Sequence, residues 1–142
     1  MPRPKTPALA VDVIIELEDR PGRPVVLVLR GHPPAGHAWP GGYVDIGETV
    51  EDAARREARE ETGLDIRLGP LLGVYSDPAR DPRGHTASLV YIATAGGEPV
   101  AGDDAAGVLV VNPEEAPPLA FDHGRILADY LATRRARGSG HG

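Results

Sequence analysis

Cysteine is absent from the sequence and large aromatic side chains are scarce: the 142 residues include one tryptophan, one phenylalanine and four tyrosines. Without cysteine there is neither a disulfide framework nor a thiolate zinc site, and a reducing compartment such as the cytoplasm is the expected location. Long apolar runs are also missing. The N-terminal stretch is interrupted at Asp12, short of a signal-peptide core, and nothing approaches the roughly 20 apolar residues of a membrane span. Nor is there an excess of positive charge. A formal charge of -6 argues against general nucleic-acid binding, which relies on Lys and Arg to displace counterions from phosphates. Neither nucleic acid nor a membrane is therefore an expected partner.

What is present is the make-up of a globular chain, 41% hydrophobic and 25% charged, with 18 glycines and 15 prolines marking many turns. Its length suits one domain, expected over 1–137, followed by a disordered glycine-rich tail at 138–142. Residues 8–17 and 24–30 are mostly apolar and β-branched and flank the turn-forming Asp19, Arg20, Pro21 and Gly22, which predicts a hairpin. Residues 31–42 hold three prolines and four glycines, too many for regular structure. A short strand is expected over 43–46.

The clearest helix is predicted over 49–62. Thr49 caps it, Asp52 completes a capping box, and Gly63 stands where a left-handed cap belongs. Val50, Ala54 and Ala58 form a narrow apolar stripe, while Glu51 with Arg55, Asp52 with Arg56, and Arg56 with Glu60 have helical ion-pair spacing. Further strands are predicted over 65–75, 86–94 and 106–111, then a helical turn opened by Pro113. A final helix, capped by Asp122, repeats Ile126, Leu127, Tyr130 and Leu131 at helical spacing. Strands that bracket one long helix and end on another imply an α/β fold, a mixed sheet with helices on both faces.

Glu57, Glu60 and Glu61 fall on one face of the predicted helix. Like charges so placed cost about 0.2–0.5 kcal/mol per exposed pair, unless a cation is shared between them. Two readings stand on these residues alone: a solvated face paired with Arg55, Arg56 and Arg59, or a site for a divalent ion. Oxygen ligands of this kind favour Mg²⁺ or Mn²⁺. Directly upstream, Gly41, Gly42 and Gly47 form a flexible loop that ends at Glu48 and can approach phosphate or metal closely.

Residues 42–64 read GYVDIGETVEDAARREAREETGL. Gly42, Glu48, Arg56, Glu57, Glu60, Glu61 and Gly63, with apolar Ala58 and Leu64, match the Nudix box, and the sequence resembles the Nudix hydrolases. The resemblance implies an α/β/α sandwich with a mixed β-sheet and a Mg²⁺ (or Mn²⁺) cofactor. It also implies Glu57, Glu60, Glu61 and the Gly41 carbonyl as metal ligands. Arg56 and Glu48 would support them, Arg56 by orienting a glutamate, the alternative being a plain ion pair with Asp52 or Glu60. The implied reaction is attack of water on one phosphorus of a pyrophosphate. A carboxylate must orient or deprotonate that water, from the box helix (Glu57 or Glu60) or from a later loop. Asp103 and Asp104 are the later-loop candidates, Asp104 as base and Asp103 at the substrate, with Glu98 a weaker choice; the alternative is that both aspartates simply form a turn.

Residues 75–92, YSDPARDPRGHTASLVYI, and 118–123, PLAFDH, are similar to a microbial branch of ADP-ribose pyrophosphatases. That resemblance favours ADP-ribose as substrate. Arg80 and Arg83, in a proline-stiffened loop, suit a diphosphate or terminal ribose; Arg30 and Gly42 complete the expected substrate contacts. Phe121 is either a base-stacking ring or a core residue. His32, His37, His85 and His123 are expected to be surface or loop-bonding residues and not metal ligands. A homodimer is expected by analogy. Two other functions remain open: a nucleoside triphosphate or dinucleoside polyphosphate hydrolase, and a non-catalytic ADP-ribose sensor.

Overall fold

A computed structural model describes residues 3–139. The elements run β1 (Ala8–Leu17), β2 (Val25–Arg30), β3 (His37–Ala38), β4 (Gly41–Tyr43), α1 (Val50–Thr62), β5 (Arg67–Tyr75), β6 (Thr86–Ala95), β7 (Ala105–Val111), a 3₁₀ turn Pro113–Glu115, and α2 (His123–Ser139). The last helix thus continues past position 138, where the sequence starts its expected tail; residues 140–142 lie outside the described residues.

The sheet is mixed. β3, β2, β1, β6 and β5 follow one another across it, while β4 also pairs with β1 and β7 with β2. β1 is the central strand, parallel to β6 along its whole length and antiparallel to β2. It is buried from Ala10 to Leu17, so both of its faces are covered. Val11, Val13, Ile15 and Leu17 point to one side and pack with Ala53, Ala54 and Ala58 of α1. Ile14 points to the other, with Trp39 and with Ile126 and Tyr130 of α2. Strand periodicity puts Asp12 and Glu16 on this second face. The result is the expected α/β/α sandwich.

Small residues on α1 let it lie close to the sheet; Ala53 belongs to the buried stripe together with Ala54 and Ala58. The Thr49 side chain accepts the Asp52 N–H at 3.1 Å, and Gly63 closes the helix at φ +71°. Arg55 pairs with Asp52 instead of Glu51, and Arg56 turns inward, away from Asp52.

Regular structure does occur within 31–42, because His37 and Ala38 add to β2. The short strand expected over 43–46 lies instead at Gly41–Tyr43, where Gly41 pairs with Asp12 and Gly42 with Val11. A β-carbon on Gly41 would come within 2.2 Å of the Val11 carbonyl oxygen. Only glycine fits so close a ladder, and Ile46 is left 91% exposed in the following turn. At the start of α2, the Asp122 carbonyl accepts the Arg125 and Ile126 N–H groups, while its side chain serves another partner, Arg80.

Candidate active site

Four acidic residues are gathered at the junction of α1, β4 and the loop between them, and each has a different environment. Arg56 reaches out of α1 to Glu48, its Nε 2.7 Å from Oε2 and its Nη2 2.9 Å from Oε1. This bidentate contact holds the Glu48 carboxyl down to about 2 and the Arg56 guanidinium above its ordinary range. The same guanidinium donates to Glu57 at 2.9 Å, to the Tyr43 carbonyl at 3.0 Å and, at 3.3 Å, to Glu60. Arg56 thus contacts Glu48, Glu57 and Glu60 at once.

Glu57 is largely buried, which raises its carboxyl although Arg56 pulls it down. A β-carbon on Gly42 would come within 2.6 Å of that carboxylate, so glycine at 42 leaves room for Glu57. Glu60 is exposed. Glu61 accepts the Gly41 N–H at 3.2 Å. Its carboxyl is pushed up to about 8, first by burial, then by the charges of Glu57 and Asp12, with the Gly41 bond and Arg30 opposing.

The loop after β6 completes the cleft. The Val100 N–H donates to the Thr62 carbonyl at 2.8 Å and the Gly102 N–H to the Glu61 carbonyl at 3.1 Å. The approach is so tight that a β-carbon on Gly102 would stand 1.8 Å from the Glu60 carbonyl oxygen. It brings the exposed Asp103 and Asp104 to a cleft of about 200 Å³ shared with Glu57, Glu60 and Glu61. Glu98 lies elsewhere, paired with Arg20.

Among the described residues, no three acidic or histidine side chains close into a metal cage; Arg56 engages Glu57 and Glu60, and the Gly41 amide engages Glu61. The donor chemistry nonetheless fits a hard divalent ion. All the side-chain donors are carboxylate oxygens, and Glu61 is a half-buried acid with no basic side chain bonded to it among the described residues.

Beside the acids lies a second cavity, of about 140 Å³, whose walls include Glu61, Gly42, Arg30, Arg83 and Phe121. Arg30 and Arg83 both lie over the Phe121 ring. Arg80 also lines the cavity, but it is nearly buried and bound bidentately by Asp122, at 2.7 and 2.9 Å.

The floor of this cavity holds residues to which the sequence assigned no part in the site. Asp12, buried in β1, accepts the Ser88 hydroxyl at 2.6 Å and lies 3.7 Å from His123 Nε2. His123 is buried as well and takes the loop-bonding role: its Nδ1 accepts the Trp39 N–H at 3.0 Å, and its carbonyl accepts the Trp39 indole N–H at 3.3 Å. Burial pushes the Asp12 carboxyl up and the His123 imidazole down. Trp39 thereby ties the strand that leads into Gly41 to the start of α2. A polar residue inside the apolar run of β1 was the available signal for Asp12.

The arrangement of box acids, glycine loop and α/β/α sandwich is matched by a family model described as NUDIX domain, over residues 6–130. The chain belongs to the Nudix family. It is 48% identical over 128 residues to the ADP-ribose pyrophosphatase of Methanocaldococcus jannaschii, spanning 88% of this chain and 73% of that protein. A Nudix family protein of Listeria innocua shares 36% identity at a TM-score of 0.77, over 94% of this chain and 98% of the other. The NUDIX domain of Shewanella oneidensis NrtR, solved in complex with ADP ribose, superposes at a TM-score of 0.77 with 25% identity, covering 91% of this chain and 89% of that one. The chain spans about half the length of several further curated relatives that it matches. As a Nudix pyrophosphohydrolase, it carries its signature acids on α1 and in the turn before it.

Proposed function

We propose that this Nudix protein hydrolyses ADP-ribose to AMP and ribose 5-phosphate with Mg²⁺ or Mn²⁺ bound. One observation carries the reading: Glu61 lines both the acidic cleft and the arginine-walled cavity. A pyrophosphate held by the arginines would therefore meet the acids at one of its phosphorus atoms. The similarity to the archaeal ADP-ribose pyrophosphatase supports the choice of substrate.

In this reading Glu57, Glu60 and Glu61, with the Gly41 carbonyl, hold the metal. When bound, it supplies charge neutralisation at phosphoryl oxygens and lowers the pKa of water. Arg56, itself fixed by Glu48, orients Glu57 and Glu60. Arg30 and Arg83 hold the non-bridging oxygens of the diphosphate, and Gly42 lets the substrate approach the backbone. Asp104 orients the attacking water and takes its proton, with Asp103 beside it at the substrate. The water oxygen bonds to one phosphorus, and the bridging oxygen leaves with the other phosphate. Arg80, bound to Asp122, stiffens the loop that carries Arg83.

Assay of ADP-ribose, an oxidised deoxynucleoside triphosphate and a dinucleoside tetraphosphate with Mg²⁺ tests the proposal. AMP and ribose 5-phosphate as the preferred products support it. Preferential turnover of either alternative substrate, or tight ADP-ribose binding without turnover, would replace it. A homodimer belongs to the same reading: β5 bonds only to β6 among the described strands and exposes Leu71 and Val74. Sedimentation of the intact chain reads the assembly directly. No described helix is long and apolar enough to cross a membrane, and a cytoplasmic site of action is part of the proposal.

A further inference from the structure

Phe121 lines the arginine-walled cavity. It occupies the turn that leads into α2 with φ +56°, a left-handed conformation disfavoured for a residue bearing a β-carbon. The turn is pinned on both sides: the Ala120 N–H donates to the His37 carbonyl at 2.8 Å, and the His123 N–H to the Ala120 carbonyl at 3.1 Å. Held this way, the half-buried ring meets two guanidinium groups, Arg30 at 4.7 Å and Arg83 at 5.1 Å from its centroid.

Each arginine has a second anchor. Arg30 Nε donates to the Pro34 carbonyl at 2.6 Å. Arg83 donates through Nε and Nη2 to the buried Asp81 carboxylate at 3.1 and 2.9 Å. Two cations so close together repel, and contact with one aromatic ring offsets that repulsion. A ring face covered by a guanidinium is not open to a nucleobase.

We infer that Phe121 is a positioning residue that keeps Arg30 and Arg83 together as a paired clamp, and that the group clamped is the diphosphate of the ligand rather than its base. Two guanidiniums match two adjacent phosphoryl groups in charge and geometry. The inference shares its cavity with the proposed ADP-ribose reading, but it needs only a diphosphate, whatever is attached to it.

The test uses the full chain in Mg²⁺ buffer, with inorganic pyrophosphate as a ligand that has no base. Phe121→Leu and Phe121→Met remove the ring and keep apolar bulk; Phe121→Tyr keeps the ring. Calorimetry should show pyrophosphate bound about tenfold more weakly by the Leu and Met variants, and normally by the Tyr variant. The same replacements made on an Arg30→Gln, Arg83→Gln background should have little further effect. In turnover, KM should rise more than kcat falls. Unchanged pyrophosphate binding in the Leu and Met variants, or an undiminished loss on the Arg30→Gln, Arg83→Gln background, would each overturn the inference. Failure of the parent chain to hydrolyse ADP-ribose, with the pyrophosphate effect intact, would instead remove the proposed substrate and leave the clamp standing.

Discussion

Arg56 and Glu48 are joined by two parallel hydrogen bonds of 2.7 and 2.9 Å across the start of α1, and through this pair a helix residue is tied to the loop ahead of it. Arg56 then presents its remaining N–H groups to Glu57, Glu60 and the Tyr43 carbonyl. One planar guanidinium thus sets the position of three acids, and a lysine cannot make the same fork.

Replacing Arg56 with Lys, or Glu48 with Gln, should therefore lower kcat/KM about 10- to 100-fold, the usual cost of losing a group that orients a metal ligand. Circular dichroism should remain that of the parent, because Arg56 and Glu48 are only partly buried. Activity within twofold of the parent in both variants would contradict the orienting role.

Chelation should stop turnover, and excess Mg²⁺ or Mn²⁺ should restore it. Glu57→Gln and Glu61→Gln should each weaken Mn²⁺ binding measured by titration calorimetry, and a variant lacking Glu57, Glu60 and Glu61 should bind none at millimolar metal. Sustained hydrolysis by that triple variant would exclude these acids as the ligands.

Gly102→Ala should act through the loop and not through a substrate contact of its own. Its β-carbon would fall 1.8 Å from a backbone oxygen of α1, so the loop must move away and take Asp103 and Asp104 with it. We expect a fall in kcat and a lower melting temperature. Asp104→Asn, by contrast, should leave melting unchanged and reduce kcat by about 10²–10⁴-fold, the range for loss of a general base. If Asp103→Asn reproduces that loss and Asp104→Asn does not, the two roles are exchanged.

Glu16 ties stability to pH. It is buried between β1 and α2, where Tyr130 donates to it and Arg137 donates at 2.9 Å. Burial alone would raise its carboxyl, but these bonds and the charges of Arg137 and Arg23 bring it below the ordinary value of 4.5. A depressed folded-state pKa contributes stability that is present above the unfolded value and is lost as pH falls through the folded one. Urea midpoints should accordingly decline below about pH 4.5, and Glu16→Gln should flatten that decline while lowering stability at pH 7. Tyr130→Phe should cost roughly 1–3 kcal/mol at neutral pH, since it removes a buried donor from a charged acceptor. An unchanged pH profile in Glu16→Gln would assign the acid sensitivity to other carboxylates.

Much of the fold was legible because it is written in local pattern. The hairpin, α1 with its Thr49 and Gly63 caps, β5 to β7 and α2 all follow from turn residues and periodicity over a few residues. What the pattern misread depended on contacts from elsewhere in the chain. His37 and Ala38 form a strand because β2 offers them an edge, and β4 falls on the two glycines because a β-carbon would strike β1 at Gly41 and the Glu57 carboxylate at Gly42. Arg80, a candidate substrate contact by sequence, lines the cavity and is held there by Asp122, which sequence distance hid.

The candidate site divides along the same line. Sequence by itself determined the ridge of Glu57, Glu60 and Glu61, since helical spacing alone puts them on one face, and the family whose box they complete. Only the tertiary structure decided that Gly102 brings Asp103 and Asp104 to that ridge, that Asp12, His123 and Trp39 build the floor beside it, and that Phe121 gathers Arg30 and Arg83. The physical reason is range: a helix places its own side chains through bonds a turn apart, whereas those groups meet only when the sheet and the α2 layer close around them.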